Sequence, residues 1–138
     1  DRLPIFSFYI QGLHYNLAVQ ILNDRFGIQT RGGCSCAGTY GHLLLNVDKT
    51  KSKHITKNID EGNLSLKPGW VRLSLHPTML NKEVMYVMNS ISALAKNFKE
   101  WSKDYKYVSK ANEFEFIGEN LSFKNKKRAE NWFELSLI

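Results

Sequence analysis

Apolar and polar positions repeat with two different periods along this chain, and each change of period marks an element. Leu3 to Ile10 is an apolar run rich in Ile, Phe and Tyr, which predicts a strand. From His14 to Phe26 the period lengthens. Leu17, Ile21, Leu22 and Phe26 fall on one stripe at helical spacing, and Gly27 supplies a left-handed stop. Ile28 to Arg31 predicts a short strand broken by Gly32-Gly33, and Cys34 to Gly41 predicts a loop. Helices are predicted over Tyr40 to Val47 and Lys51 to Asp60. Pro68-Gly69 signals a turn, after which Trp70 to Leu75 alternates cleanly. Val71, Leu73 and Leu75 share one face, and Trp70, Arg72 and Ser74 share the other.

The clearest periodicity runs from Lys82 to Trp101. Val84, Val87, Met88, Ile91, Leu94, Ala95 and Phe98 follow the i, i+3, i+4, i+7 rule, with Asn81 as the N-cap. From Ser102 onward, aromatic residues are scattered among lysines. That segment reads as a short hairpin or loose strands, followed by a short helix around Ala129 to Leu135. The sum predicts an α+β two-layer sandwich, a small sheet covered on one face by helices. Residues 1–101 would form the domain, and residues 102–138 an extension packed on it.

Composition narrows the picture. With 138 residues, 43% hydrophobic and 23% charged, the chain has the length and balance of one globular domain. No apolar run approaches the roughly 18 residues that a membrane span needs. No signal-peptide pattern is visible, and two cysteines cannot build a disulfide framework, so a reducing, cytoplasmic setting is expected. The net charge of +6 is spread thinly and permits nucleic-acid binding without arguing for it. The chain opens at Asp1 and enters an apolar strand almost at once, which suggests a piece of a longer protein.

Two segments could carry chemistry. The first runs from Arg31 through Gly32, Gly33, Cys34, Ser35, Cys36 and Ala37 to His42. A cysteine in a glycine-rich loop beside an arginine can serve as a nucleophilic thiolate. The competing reading makes both thiols small buried hydrophobes. Cys34, Cys36 and His42 fall one donor short of a closed zinc site, so no metal is expected. A Cys34–Cys36 disulfide would be a tight, strained loop. The second segment is Lys67 to His76. There Arg72 lies opposite the apolar triplet, and its planar fork suits a carboxylate, the alternative being an ordinary surface arginine.

Taken together, Arg31-x-Gly33-x-x-Cys36-Ala37, then Gly69-Trp70-Val71-Arg72-Leu73-Ser74 and a long helix, resemble a known family. It is the C-terminal small domain of class V, fold-type I pyridoxal-phosphate enzymes, nearest the cysteine desulfurase and selenocysteine lyase branch. The resemblance covers about residues 3–100. It implies that Arg72 binds the substrate α-carboxylate and that Cys36 takes the substrate's sulfur or selenium. Arg31 would help orient the cysteine loop and the substrate. Aminotransferases and other lyases of the class carry a similar loop without a nucleophilic cysteine. The branch often has two histidines where this chain has Cys34 and Ser35, and a proline where it has Thr39.

These enzymes link their cofactor to a lysine that directly follows a histidine. Here His14, His42, His54 and His76 precede Tyr15, Leu43, Ile55 and Pro77. The resemblance therefore implies that pyridoxal 5'-phosphate is held by a preceding large domain of the same protein. The chain alone would be inactive. Its partners would be that domain, an amino-acid substrate and a second subunit of a homodimeric parent. A second reading, from another class, is a stand-alone basic module for nucleic acid or a protein partner. Lys124, Lys126 and Lys127, with Phe123 and Trp132, would then form its stacking-plus-phosphate surface.

Overall fold

The computed structural model describes residues 3–34 and 38–118. The elements in chain order are β1 (Ile5–Phe8), α1 (Tyr15–Phe26), β2 (Arg31–Gly33), α2 (Gly38–Leu44) and α3 (Lys49–Asp60). They continue with β3 (Trp70–Ser74), α4 (Asn81–Trp101), β4 (Tyr105–Val108) and β5 (Glu113–Phe116). β3 is the centre of an antiparallel sheet of order β1-β3-β2, and β4 and β5 form a separate hairpin. The architecture is the expected α+β sandwich.

The alternation in β3 decides what faces the core. Val71 and Leu73 point to the helices and pack with Leu17, Ala18, Ile21 and Leu22 of α1 and with Val87 and Leu94 of α4. Ile21, Leu22, Val71 and Leu94 are fully buried. Each such side chain contributes about 1.5–3 kcal/mol by leaving water. α1 lies so close to β2 that a Cβ at Gly32 would stand 2.8 Å from Tyr15 Cδ2 and 2.9 Å from Asn16 Oδ1. The Tyr15 ring also fills the space beside Gly69, where a Cβ would come within 2.7 Å. Two bare backbone positions thus make the slot that seats this ring.

Several sequence-based boundaries are corrected. Ile28 does not open a strand, because its N–H is committed to Leu22 O at 3.0 Å while Gly27, at φ +67°, bonds Asn23 O at 2.8 Å. The Gly27 bond, from the left-handed residue to the carbonyl four positions back, is the αL type of C-cap. The strand begins instead at Arg31 and includes the two glycines expected to break it. α2 starts at Gly38, inside the expected loop, and stops at Leu44 rather than Val47. Asn46 there takes a left-handed φ of 49°, and Val47 N–H returns to His42 O at 2.8 Å. α3 begins at Lys49 because the Asp48 carboxylate caps it, accepting from Lys51 N–H at 2.7 Å. At α4 the N-cap is Leu80, not Asn81. Its N–H donates to the Glu83 carboxylate at 2.7 Å, the reaching-back half of a capping box. Met88 and Ala95 also leave the expected core: Met88 is 51% exposed, because the strip of α4 that meets α1 runs through Val87, Ser90 and Leu94.

The chain after α4 returns to the core. Tyr105 is buried in it, with Phe114 and Phe116 packed alongside. The Arg25 guanidinium pairs with Asp104 at 2.6 Å and lies 4.7 Å over the Trp101 ring. Tyr105 donates its hydroxyl to Asp24 at 3.1 Å. Burial, with the Asp24 carboxylate beside it, pushes that phenol well above its ordinary value. Asn112, 8% exposed, is the polar hub. Its Nδ2 donates to the Tyr15 hydroxyl at 2.9 Å, and its Oδ1 accepts from the Tyr107 hydroxyl at 3.0 Å. Its backbone carbonyl accepts from Asn16 Nδ2. The helix expected around Ala129 to Leu135 and the rest of the extension past residue 118 lie outside the described residues. Among the described residues no helix is long and apolar enough to cross a membrane.

Candidate functional site

The antiparallel registers fix the site. Arg72 stands directly opposite Ser7 on one side and Arg31 on the other. Paired residues share a face, so Ser7, Arg72 and Arg31 form a row across the sheet. Their face is the one turned away from the core, since Val71 and Leu73 point to the helices. Ser7 and Arg31 are exposed and Arg72 is half-buried.

Two guanidiniums at directly opposed positions repel. Opposed Cβ atoms in such a ladder are about 5 Å apart, and like charges there oppose the sheet. Among the described residues no carboxylate pairs with either arginine; the ion pairs there are Arg25–Asp104, Lys57–Glu61 and Lys103–Glu100. The arrangement therefore favours a bound anion. A carboxylate between two guanidinium forks can accept charge-assisted hydrogen bonds from both, and it removes their repulsion.

One end of this face is covered. Trp70 is only 8% exposed although it shares the side of Arg72. α2 lies over it, so close that a Cβ on Gly41 would stand 3.1 Å from the Trp70 ring. Cys34 fastens the same corner. Its Sγ donates to Pro68 O at 2.8 Å, tying the end of β2 to the entry of β3. Burial pushes the Cys34 thiol up, and the Lys67 ammonium only partly offsets this. Cys34 is thus held as a neutral, hydrogen-bonded thiol, which suits an anchor and not a nucleophile.

The two sequence-predicted arginines are brought together by the structure. The third predicted residue, Cys36, lies outside the described residues, as do Lys124, Lys126, Lys127, Phe123 and Trp132. Ser7 was not singled out from the sequence. Its place in the row follows from the β1–β3 register, which no local pattern reveals. No group of three or more His, Cys, Asp or Glu able to hold a metal occurs among the described residues. Pyridoxal phosphate needs an amine for its imine, and β1, β2 and β3 carry no lysine. The residues of this face therefore suit a carboxylate and do not by themselves hold that cofactor. No family model, curated protein or solved structure matches the chain.

Proposed function

We propose that this chain is the small C-terminal domain of a class V, fold-type I pyridoxal-phosphate enzyme of the cysteine desulfurase–selenocysteine lyase type. In this reading the open sheet face receives the α-carboxylate of an amino-acid substrate. The observation that carries it is the Arg31–Arg72 register pair on an open face, without a carboxylate partner among the described residues. Arg72, on the central strand, is the fixed half of the clamp. Arg31, on the neighbouring edge strand, adds the second fork. Cys34 keeps the start of the cysteine loop in place, and Cys36 takes the substrate's sulfur or selenium in a reducing, cytoplasmic setting. Because no histidine of this chain is directly followed by a lysine, the cofactor would be held by a preceding large domain, and the 138 residues alone would be inactive.

The test is kinetic, on the whole protein that contains this chain. Arg72→Ala should raise KM for the amino-acid substrate roughly ten- to hundredfold, the value of about 1.5–3 kcal/mol for a charge-assisted pair. Cys36→Ser should keep substrate binding and end sulfide release, because a hydroxyl cannot accept sulfur as a thiolate does. An unchanged KM in Arg72→Ala contradicts the carboxylate role. Undiminished sulfide release in Cys36→Ser would turn the reading toward an aminotransferase or another lyase of the same class.

A further inference from the structure

His14 sits where the β4–β5 hairpin docks on the N-terminus of α1. Its Nδ1 accepts the Asn16 N–H at 3.2 Å and so caps the first turn of the helix. The unprotonated nitrogen alone can do this, so the ring's proton is on Nε2. That second nitrogen is buried without a partner. The ring stacks on Tyr15 with centroids 4.5 Å apart, and it meets Phe114 at 5.3 Å and Tyr107 at 5.8 Å. The hairpin thus closes over an imidazole that is built to stay neutral.

Among the described residues, the groups facing the ring give a positive charge nothing to pair with. α1 presents its N-terminus, the positive end of the helix dipole, and the Tyr15 phenol. The hairpin presents the Tyr107 phenol, while Lys106, Glu113 and Glu115 occupy its exposed alternate positions. The cleft of about 330 Å³ that His14 lines also holds Lys51 of α3 and Lys67 from the approach to β3, and among the described residues no carboxylate lines it. Burial lowers the His14 pKa from its ordinary 6.5.

We propose that His14 is an acid-operated latch: its protonation breaks the cap of α1 and releases the β4–β5 hairpin from the domain. A protonated Nδ1 would oppose the Asn16 N–H it now accepts. The helix would lose its cap, and the adjoining Tyr15–Asn112–Tyr107 and Asn16–Asn112 hydrogen bonds would lose their support. The sign follows from linkage. The released state binds the proton at the ordinary value and the latched state only below it. The latch is therefore complete above about pH 6.5 and weakens as pH falls through the lowered value.

Amide hydrogen exchange on the full chain tests this, with protection factors followed from about pH 7.5 to about pH 5.5, a window bracketing the ordinary histidine value. Protection of the Tyr105–Phe116 amides should fall roughly five- to tenfold relative to the interior of α4, the equivalent of one lost N-cap. His14→Asn keeps a capping side chain without the titration, and its hairpin protection should be flat across the window. An unchanged hairpin in the native chain overturns the proposal, and so does an equal loss in His14→Asn. The proton-resonance titration of the native chain is a second readout that needs no variant. His14 should titrate below the ordinary value of 6.5; a midpoint at or above that value also overturns it.

Discussion

Asn112 should be the most sensitive polar position outside the apolar core, and its two contributions can be separated. It is buried, its side chain joins the Tyr15 and Tyr107 hydroxyls, and its backbone is left-handed at φ 55°. Replacing it by alanine removes two hydrogen bonds worth about 1 kcal/mol each and leaves the Tyr15 hydroxyl, deep in the core, without its donor. It also puts a plain Cβ into a left-handed position, at about 1 kcal/mol. Asn112→Ala should therefore cost about 3 kcal/mol. Asn112→Gly relieves the backbone part and should cost about 2 kcal/mol. Asn112→Asp can still accept from both phenols and should cost about 1 kcal/mol or less. Urea titration checks the series, with stability read from the midpoint at unchanged slope. A fall in slope would mean that the hairpin detaches before the rest. Equal costs for alanine and glycine would contradict the left-handed strain at this position, and costs within about 0.5 kcal/mol of the native chain for both would contradict the hydrogen-bonded hub as well.

The other predictions follow from single contacts. Gly32→Ala should cost about 1–3 kcal/mol in the same titration, because the new methyl meets Tyr15 and Asn16 under 3 Å and α1 must move off the sheet. Arg31→Gln should stabilise the isolated chain by up to about 1 kcal/mol by relieving the pair with Arg72, with the gain shrinking as salt rises. In a Cys36→Ser background, Cys34 should alkylate more slowly than an exposed thiol near neutral pH. Its folded-state pKa is raised, so stability should be full below the ordinary value of 9.0 and fall as pH rises past it, as measured by thermal melts across that range.

What the sequence made legible were the repeats with a physical period. The helical stripe of α4 and the two-residue alternation of β3 placed Val71 and Leu73 inward and Arg72 outward, as observed. The glycines of β2 misled, because a strand pattern carries no sign that an aromatic ring will lie against bare backbone. Asn46 and Asp48 did carry signals, a left-handed stop and an N-cap, that place the end of α2 and the start of α3. The meeting of Arg31 with Arg72 is a matter of register between strands about forty residues apart. The segment from Arg31 to His42 held one arginine and both cysteines in view, but only the structure distinguishes Cys34, tied to Pro68, as an anchor. Nothing in the alternation announced that α2 would cover Trp70, because that depends on Gly41 letting the helix come close.

If Arg31 and Arg72 together bind a carboxylate, their guanidinium resonances will report it. The side-chain N–H signals of the chain's arginines should be recorded while a small amino acid such as alanine is added, with an amine lacking the carboxylate as control. Arg25, already paired with Asp104, is the internal reference. Arg31 and Arg72 should shift together and saturably with the carboxylate, Arg25 should not, and Arg72→Ala should abolish the response of Arg31. Shifts no larger than those of Arg25, or a response of Arg31 that survives in Arg72→Ala, would contradict it.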